Sequence, residues 1–382
     1  MNLQKLLFPF ALIYGTVAAI RRWLYRQGIL SAYLPPVMTI GVGNLSVGGT
    51  GKTPHVEYLI RLLSAQHQIA TLSRGYKRKT KGFVLANELT QSSLSAEAIG
   101  DEPLQFYTKF PHVKVAVDEK RKEGIEQLLQ RFPDMEYIIL DDCYQHLQVK
   151  PQLSILITEY QHPYAKDYPL PAGRLREFRS AARYADIVIV SKCPAEMTEG
   201  QAEEMKKMLK LQAHQQLFFT TMQHSDLQAV NEYAKKLLRD DTNESGKQEQ
   251  RSDLNQPEGQ QQPVEDLEVV VLTAIAHPEP MLEYLLKKYK IIHHYRFPDH
   301  HYFSTEEVEE IKRNYFSEES KNRILITTEK DSMRLIYNDI SKILEDVPLV
   351  VQPIEPQFLF QGEKRFFQIL SQNSRNSLNF AH

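Results

Sequence analysis

A glycine-rich turn carries the residue spacing most suggestive of chemistry. Residues 43–54 read GNLSVGGTGKTP and follow the apolar run VMTI at 37–40. A P-loop consists of a glycine, four free positions and then Gly-Lys-Ser/Thr. Gly51-Lys52-Thr53 fits the end of this pattern, although Ser46 stands in place of the first glycine. The backbone N–H groups of such a turn surround phosphate, and the helix that follows points its positive end at the anion.

We assign nucleotide binding to the whole turn. Lys52 neutralises charge on the β- and γ-phosphates, and the Thr53 hydroxyl ligates Mg²⁺. The remaining phosphate-binding positions are Ser46, Val47, Gly48, Gly49, Thr50 and Gly51. A glycine-rich turn that binds no ligand is the alternative.

A second segment, YIILDDCYQH at 137–146, offers carboxylates for the metal ion. An apolar run leads directly into Asp141 and Asp142, as in a Walker B strand whose acid holds Mg²⁺. An ordinary pair of turn aspartates is the alternative. Base recognition favours ATP over GTP, because Ser191-Lys192-Cys193-Pro194 has a proline where a GTPase has its guanine-reading aspartate.

Acid–base groups occur in two separate segments, Gly100-Asp101-Glu102-Pro103 and HHYRFPDHH at 293–301. An Asp–His pair suits proton removal from a hydroxyl, because the carboxylate holds and polarises the imidazole. The sequence does not show that Asp101 meets one of these histidines. Helix capping by Asp101, structural histidines and a zinc site are the alternatives.

Arginines occur in two further segments of the chain. SRGY at 73–76 contains Arg74, and LPAGRLREF at 170–178 contains Arg174, Arg176 and Glu177. Guanidinium groups hold phosphate or the charge that develops on a transferred phosphoryl group. A solvated basic loop is the alternative.

The elements that must position these groups alternate along the chain. Short apolar runs lie at 69–74, 113–117, 137–142, 153–158 and 186–191, with helical patterns at 54–66 and 120–132. This rhythm predicts an α/β fold whose parallel sheet, of the P-loop NTPase type, is flanked by helices. After a polar, Gln-rich stretch at 240–268, which we predict to be disordered, further apolar runs predict a second, smaller α/β lobe.

The N-terminal segment predicts contact with a membrane. Residues 6–20 contain no charged side chain, and Arg21, Arg22 and Arg26 follow. These fifteen apolar residues are fewer than the roughly 20 that span a bilayer, so we expect a helix in the membrane interface. A signal peptide and a helix packed on the protein's own core are the alternatives.

The net charge and the cysteine count argue against a nucleic-acid-binding protein and a disulfide-rich one. The net charge of −2 gives no basic surface for nucleic acid, and two cysteines in 382 residues favour a reducing compartment. We predict four parts: an interface helix (1–36), a P-loop domain (37–222), a connecting segment (223–268) and a C-terminal α/β lobe (269–382).

Together the motifs resemble one family, the tetraacyldisaccharide 4′-kinases, or lipid A 4′-kinases, of Gram-negative bacteria. The matching segments in chain order are GNLSVGGTGKTP, LSRGY, GDEP, DDCYQH, LPAGRLRE, FPDHH and TTEKD. The resemblance implies transfer of the ATP γ-phosphate to the 4′-hydroxyl of a tetraacylated disaccharide 1-phosphate, giving lipid IVA. It also implies Mg²⁺ and a location at the cytoplasmic face of the inner membrane, and we infer no obligate protein partner.

The resemblance implies roles for individual residues. Asp101 and His300 match the pair that activates the hydroxyl, with His301 open as the alternative histidine. The other matches are Asp141, Asp142 and His146 for metal and phosphate, Arg176 and Glu177 in a loop needed for full activity, and Arg121 as a further charged contact. Cys143 stands where the family usually has glycine, so the backbone conformation after Asp142 is open.

Two other functions are compatible with the motifs. A membrane-associated P-loop ATPase switch that controls a protein partner needs no base for an acceptor hydroxyl. An ATP-dependent carboxylate ligase would form an acyl phosphate.

Overall fold

The computed structural model describes residues 3–236, 267–316, 322–337 and 340–378. The stretch 240–268, predicted to be disordered, lies outside these ranges except for its last two residues. The chain divides into two compact units. The first contains residues up to Leu89, Glu97–Gln223 and the residues from Glu355 onward, and the second contains Thr90–Ala96 and His224–Ile354. The four-part division drawn from the sequence stays a prediction.

A nine-stranded sheet forms the centre of the first unit, in the order β14-β8-β7-β6-β1-β5-β2-β4-β3. The strands are β1 (Met38–Asn44), β2 (Ile69–Ser73), β3 (Val84–Leu85), β4 (Lys114–Val117), β5 (Tyr137–Leu140), β6 (Leu153–Glu159), β7 (Ile187–Ser191), β8 (Gln216–His224) and β14 (Ile354–Phe358). β1 pairs in parallel with both β5 and β6. The carboxyl ends of these three strands therefore lie side by side.

Burial explains why these strands were readable in the sequence. Every residue of β1, β2, β5 and β7 is buried. Parallel strands are covered on both faces, so they appear as continuous apolar runs rather than alternating ones.

Helices cover this sheet. They are α1 (Leu3–Arg26), α2 (Lys52–Ser64), α3 (Ala96–Ile99), α4 (Asp101–Lys109), α5 (Arg121–Arg131), α6 (Glu199–Leu209) and, near the end of the chain, α11 (Gly362–Leu378). α2 buries Val56, Leu59, Ile60 and Leu63, one face of a helix. A 3₁₀ segment at Arg179–Tyr184 follows the loop that carries Arg176.

The second unit has a five-stranded sheet in the order β11-β10-β12-β13-β9. The strands are β9 (Gln228–Ala229), β10 (Glu268–Thr273), β11 (Lys290–Arg296), β12 (Arg323–Thr327) and β13 (Leu349–Val351), and the helices are α7 (Glu279–Leu286), α8 (Thr305–Phe316), α9 (Glu329–Ser332) and α10 (Ile340–Ile343). β9 is antiparallel to β13, and the other pairs are parallel.

These features confirm the predicted α/β class, with a large, mostly parallel sheet flanked by helices and a smaller α/β unit. The predicted N-terminal helix is also present as α1. Its stretch Leu6–Arg26 is long and apolar enough to cross a bilayer, by length and composition alone. Only 17% of that stretch is buried within the protein, so most of its apolar surface faces outward.

Candidate active site

The glycine-rich turn joins a buried strand to a helix. β1 ends at Asn44, and α2 begins at Lys52. Gly51 caps α2 with φ 79° and ψ 22°, a left-handed conformation that a side chain disfavours. A Cβ atom on Gly51 would lie 2.7 Å from the terminal methyl of Met222. The backbone conformation is therefore what requires glycine here, since the methionine methyl could move aside.

The arginine-containing loop lies directly on this turn. The Val47 N–H donates to the Arg174 carbonyl at 2.8 Å, and the Arg176 N–H donates to the Leu45 carbonyl at 2.7 Å. These bonds tie residues 174–176 to the end of β1. Their effect is to bring the Arg176 side chain to the carboxyl end of the neighbouring strand β5.

Three charged side chains converge beside the turn. Arg176 Nη1 donates to both carboxylate oxygens of Asp142, at 3.0 and 2.9 Å. Lys52 Nζ lies 3.6 Å from Asp142 Oδ1. The Asp142 side chain is 35% exposed, so a cation from solution can reach it.

The two adjacent aspartates differ in electrostatics. Burial, with the neighbouring charge of Asp142, raises the pKa of Asp141 to about 7. Burial also acts to raise the pKa of Asp142, but Lys52 and Arg176 together lower that pKa below its ordinary value. Asp142 therefore carries the negative charge of the pair, and its two cationic neighbours stabilise it.

Cys143, which stands where the family usually has glycine, does not strain the backbone. The left-handed residue in this segment is Asp142, with φ 45°. Aspartate tolerates that region better than most residues. Cys143 has no positive φ and is buried at 8% exposure, so the thiol packs in the core without backbone strain.

The remaining basic candidates surround the same acids. Arg121, only 2% exposed, donates to the carbonyl oxygens of Asp118 and Asp141 at 2.5 and 3.0 Å. Burial, with the charges of Arg121 and Arg74, lowers the pKa of His146 to about 4. His146 is therefore neutral near pH 7. Arg121 fixes the backbone at Asp118 and at Asp141, the residue directly after β5.

The residues fit a magnesium ion. Mg²⁺ is usually held by one or two carboxylates together with substrate phosphates. Asp141 and Asp142 are adjacent, and burial together with the charge of Asp142 raises the pKa of Asp141, so a bound cation would stabilise the ionised form of both. Across the described ranges, no group of three or more His, Cys, Asp and Glu side chains is arranged to hold a metal. Phosphate oxygens and Thr53 would therefore complete the coordination of an ion at these two acids.

Asp101 begins helix α4 and is buried at 5% exposure. The next residue, Glu102, is close enough to contribute to the raised pKa of Asp141. The first turn of α4 thus lies near the acids that follow β5. Glu57 of α2 accepts hydrogen bonds from Gln105 at 2.7 Å and Lys109 at 2.6 Å, which fixes α4 relative to α2.

The two candidate histidines of the second unit have different neighbours. His301 Nε2 lies 2.9 Å from Glu307, whose carboxylate also accepts from the Ser304 N–H. The ring nitrogens of His300 lie 3.0 Å from Lys330 Nζ and 3.2 Å from Arg334 Nη2. His301 is thus part of the N-terminal cap of α8. Asp101 belongs to the first unit and His300 to the second, so their pairing stays a prediction.

Two residues near the turn were not assigned from the sequence. His55 Nδ1 lies 2.7 Å from the Gly51 carbonyl, and its Nε2 lies 3.0 Å from the Thr220 hydroxyl. Lys192 Nζ lies 2.5 Å from the Gly49 carbonyl and 2.5 Å from Glu159. His55 is four positions after Gly51, a spacing at which residues of a helix are neighbours, so the sequence contained a signal for this contact. Nothing local signals the contact of Lys192.

Comparisons with known proteins agree with these features. A profile of the family described as LpxK, tetraacyldisaccharide-1-P 4′-kinase, matches residues 3–375. The tetraacyldisaccharide 4′-kinase of Flavobacterium johnsoniae is 45% identical over 350 residues, covering 91% of this chain and 93% of that one. The enzyme of the same name from Bacteroides thetaiotaomicron is 39% identical, covering 99% and 96%.

A solved structure is also similar. The crystal structure of LpxK from Aquifex aeolicus in complex with ATP has a TM-score of 0.70 and 26% identity to this chain. The match covers 97% of this chain and 99% of that one.

Proposed function

The chain belongs to the tetraacyldisaccharide-1-P 4′-kinase family, and from this premise we propose which of its residues bind ATP and act on the lipid. The protein is an ATP-dependent kinase that transfers the γ-phosphate to the 4′-hydroxyl of a tetraacyldisaccharide 1-phosphate. The single observation that carries the residue assignments is the convergence of Lys52, Asp142 and Arg176 at the glycine-rich turn.

ATP binds with its phosphates in the turn from Ser46 to Thr53. The amino end of α2 faces the phosphate oxygens, whereas the Val47 N–H is bonded to the Arg174 carbonyl and the Thr50 N–H to the Gly48 carbonyl. Lys52 is paired with Asp142 at 3.6 Å, a long and weak contact. We propose that it exchanges this carboxylate for the β- and γ-phosphates, because a triphosphate presents more negative charge than one carboxylate.

A divalent ion belongs to this arrangement. Asp141, Asp142 and Thr53 would hold Mg²⁺, which when bound would supply positive charge to neutralise the phosphates. The transferred phosphoryl group passes through a loose transition state, so catalysis requires mostly positioning and neutralisation of charge. Arg176 and Arg74 are the basic side chains that we assign to this neutralisation, and we assign further phosphate contacts to Arg121 and His146.

The acceptor hydroxyl must lose its proton. We assign proton removal to Asp101, with His300 as its partner. Asp101 begins α4, whose first turn lies near Asp141, and His301 pairs with Glu307 in the N-terminal cap of α8. We choose His300 because it matches the family's motif, and its ring nitrogens lie beside Lys330 and Arg334. Asp101 belongs to the first unit and His300 to the second.

The acyl chains of the substrate locate the reaction at a membrane surface. Exposing each CH₂ of a fatty acyl chain to water costs about 0.8 kcal/mol, so the enzyme must act on a substrate that stays in the bilayer. Helix α1 presents apolar side chains to the outside, among them Phe10, Ile13 and Val17 at 61%, 64% and 63% exposure. We propose that α1 binds the cytoplasmic face of the inner membrane, where ATP is present.

Two substitutions separate the kinase from an ATPase switch. Lys52→Ala should abolish ATP binding, whereas Asp101→Asn should retain it and lose lipid phosphorylation by at least about 100-fold, the scale of a general base. Binding is measured by titration with a fluorescent ATP analogue, and phosphorylation by the mass of the lipid. If Asp101→Asn phosphorylates the lipid at the wild-type rate, the assignment of the base is wrong.

A further inference from the structure

The side chain of Arg22 joins helix α1 to two loops of the site. Its Nε and Nη2 atoms donate to the two carboxylate oxygens of Glu177, both at 2.7 Å. The same Nη2 donates to the Tyr144 carbonyl at 2.9 Å. The guanidinium carbon also lies 5.1 Å from the Tyr144 ring centroid and 5.4 Å from that of Tyr184. One side chain therefore fixes three segments that are far apart in the sequence.

The charges of this pair are buried. Arg22 is 7% exposed and Glu177 is 4% exposed. Removing two charges from water costs free energy that their mutual attraction only partly offsets, so a well-packed apolar pair is often as stable. Stability alone is therefore a weak reason for this pair. A fixed geometry between the segments is the alternative reason that the contacts support.

Both partners of Arg22 are close in sequence to the reactive charges. Glu177 directly follows Arg176, whose Nη1 binds Asp142 at 2.9 Å. Tyr144 is two residues after Asp142. The Arg22 side chain thus holds the backbone on both sides of the Arg176–Asp142 contact.

A second contact fastens α1 to the same loop. Gly15 lies against the ring of Phe178, and a Cβ atom on Gly15 would be 2.6 Å from that ring. Nearer the start of α1, the Phe8 ring meets the Tyr168 ring edge-on, with centroids 5.6 Å apart. The helix therefore contacts the loop before and after Arg176.

We propose that Arg22 is a positioning residue that couples helix α1 to the Arg176–Asp142 contact. Arg22 lies on the side of α1 that contacts Glu177 and Tyr144, whereas Ile13, Val17 and Ile20 of the same helix are exposed. The inference rests on the proposed function, because it requires that Arg176 and Asp142 serve phosphoryl transfer. It adds a role for Arg22 that none of the sequence motifs contains.

A mutant cycle tests this coupling. The first change is Arg22→Met/Glu177→Met, which removes both charges together and avoids an unpaired buried charge. The second change is Arg176→Met. Rates are measured with ATP, Mg²⁺ and tetraacyldisaccharide 1-phosphate in mixed detergent micelles, and ATP binding and thermal melting are recorded for each variant.

The account predicts a specific pattern. Arg22→Met/Glu177→Met lowers kcat at least tenfold, with KM for the lipid and affinity for ATP within about twofold of wild type. In the Arg176→Met background the same double change lowers kcat less than twofold, because Arg22 acts through Arg176. A merely structural role would make the two losses multiply, and that result would overturn the proposal, as would an unchanged kcat.

Arg26→Met is the matched control. Arg26 is a nearby exposed arginine on α1, so this variant removes the same charge from the helix without touching Glu177 or Tyr144. It should keep the wild-type kcat.

If Arg22→Met/Glu177→Met does not fold, Arg22→Lys replaces it, since lysine keeps the charge but loses the two-pronged contact. In the Arg176→Met background, Arg22→Lys must likewise lower kcat less than twofold. If neither wild type nor Arg26→Met phosphorylates the lipid, the proposed function itself has failed.

Discussion

At the scale of single residues, Asp142 is the point where the charges of the site meet. The side chains of Lys52 and Arg176 contact its carboxylate, and the Asp142 backbone has a left-handed φ of 45°. The partly exposed carboxylate is satisfied without a ligand, yet both cations are also suited to phosphate. Under the proposed function, Lys52 and Arg176 would turn from this carboxylate to the phosphates of ATP, and Asp142 would then be available to hold Mg²⁺.

Asp142→Asn tests this exchange. The change removes one negative charge but keeps the shape, so the metal ion is held more weakly and the two cations lose their anchor. We expect kcat to fall about 100-fold, the upper end of the effect of disturbing a metal site. Asp134→Asn, the same change at an exposed position before β5, should leave kcat unchanged. Equal rates for both variants, measured at saturating ATP and Mg²⁺, would contradict the assignment.

The two histidines should respond differently to alanine. His300→Ala should lower kcat by about 100-fold if the imidazole takes part in proton removal. His301→Ala should instead lower stability by about 1 kcal/mol, because its ring stacks on Phe297 with centroids 4.7 Å apart. Steady-state rates and thermal melting separate the outcomes. Loss of kcat in His301→Ala alone would exchange the roles.

At the scale of elements, the carboxyl ends of parallel strands assemble the site. The apolar runs before Asp141 and before the glycine-rich turn were readable because buried strands are continuous in sequence. The loop at 174–176 could be proposed from its arginines, but its pairing with residues 45–47 was not predictable. The same holds for Arg22 and Glu177, which are 155 positions apart. No periodicity reports contacts of that range.

Helix α2 is tied to β8 by a buried histidine, with a consequence for pH. Burial lowers the pKa of His55 to about 4. Between that pH and the ordinary value of about 6.5, the unfolded chain binds a proton that the folded chain does not. The free energy of unfolding therefore decreases as pH falls through this window.

We expect wild type to lose about 2.5 kcal/mol more than His55→Gln between pH 7 and pH 4.5, from the two pKa values alone. Urea unfolding of both proteins at the two pH values measures the difference. Equal losses would show that the His55 ring is protonated in the folded protein.

At the scale of the whole molecule, the chemistry must be brought to a substrate that does not leave the membrane. α1 supplies the outward apolar surface, and it contacts the 168–178 loop within the same unit as the glycine-rich turn. Composition showed the apolar segment but not which of its residues face outward. That division depends on packing against Phe178 and Glu177, which the sequence does not report.

Ile13→Glu tests the membrane contact. Placing a charge in an apolar patch removes the gain from burying isoleucine, about 2 kcal/mol, and should weaken vesicle binding at least tenfold. Leu286→Glu is the matched control, because Leu286 and Ile13 are both 64% exposed. Co-sedimentation with vesicles of phosphatidylglycerol and phosphatidylethanolamine measures both. Equal binding of the two variants would remove α1 from the membrane contact.

The most direct measurement of the central claim is the product of the reaction. Purified protein is incubated with ATP, Mg²⁺ and tetraacyldisaccharide 1-phosphate, and the lipid is analysed by mass spectrometry and ³¹P NMR. The account predicts a gain of one phosphate group, located on the 4′-oxygen, with one ADP formed for each lipid product. An unchanged lipid mass from folded protein that binds or hydrolyses ATP would contradict it.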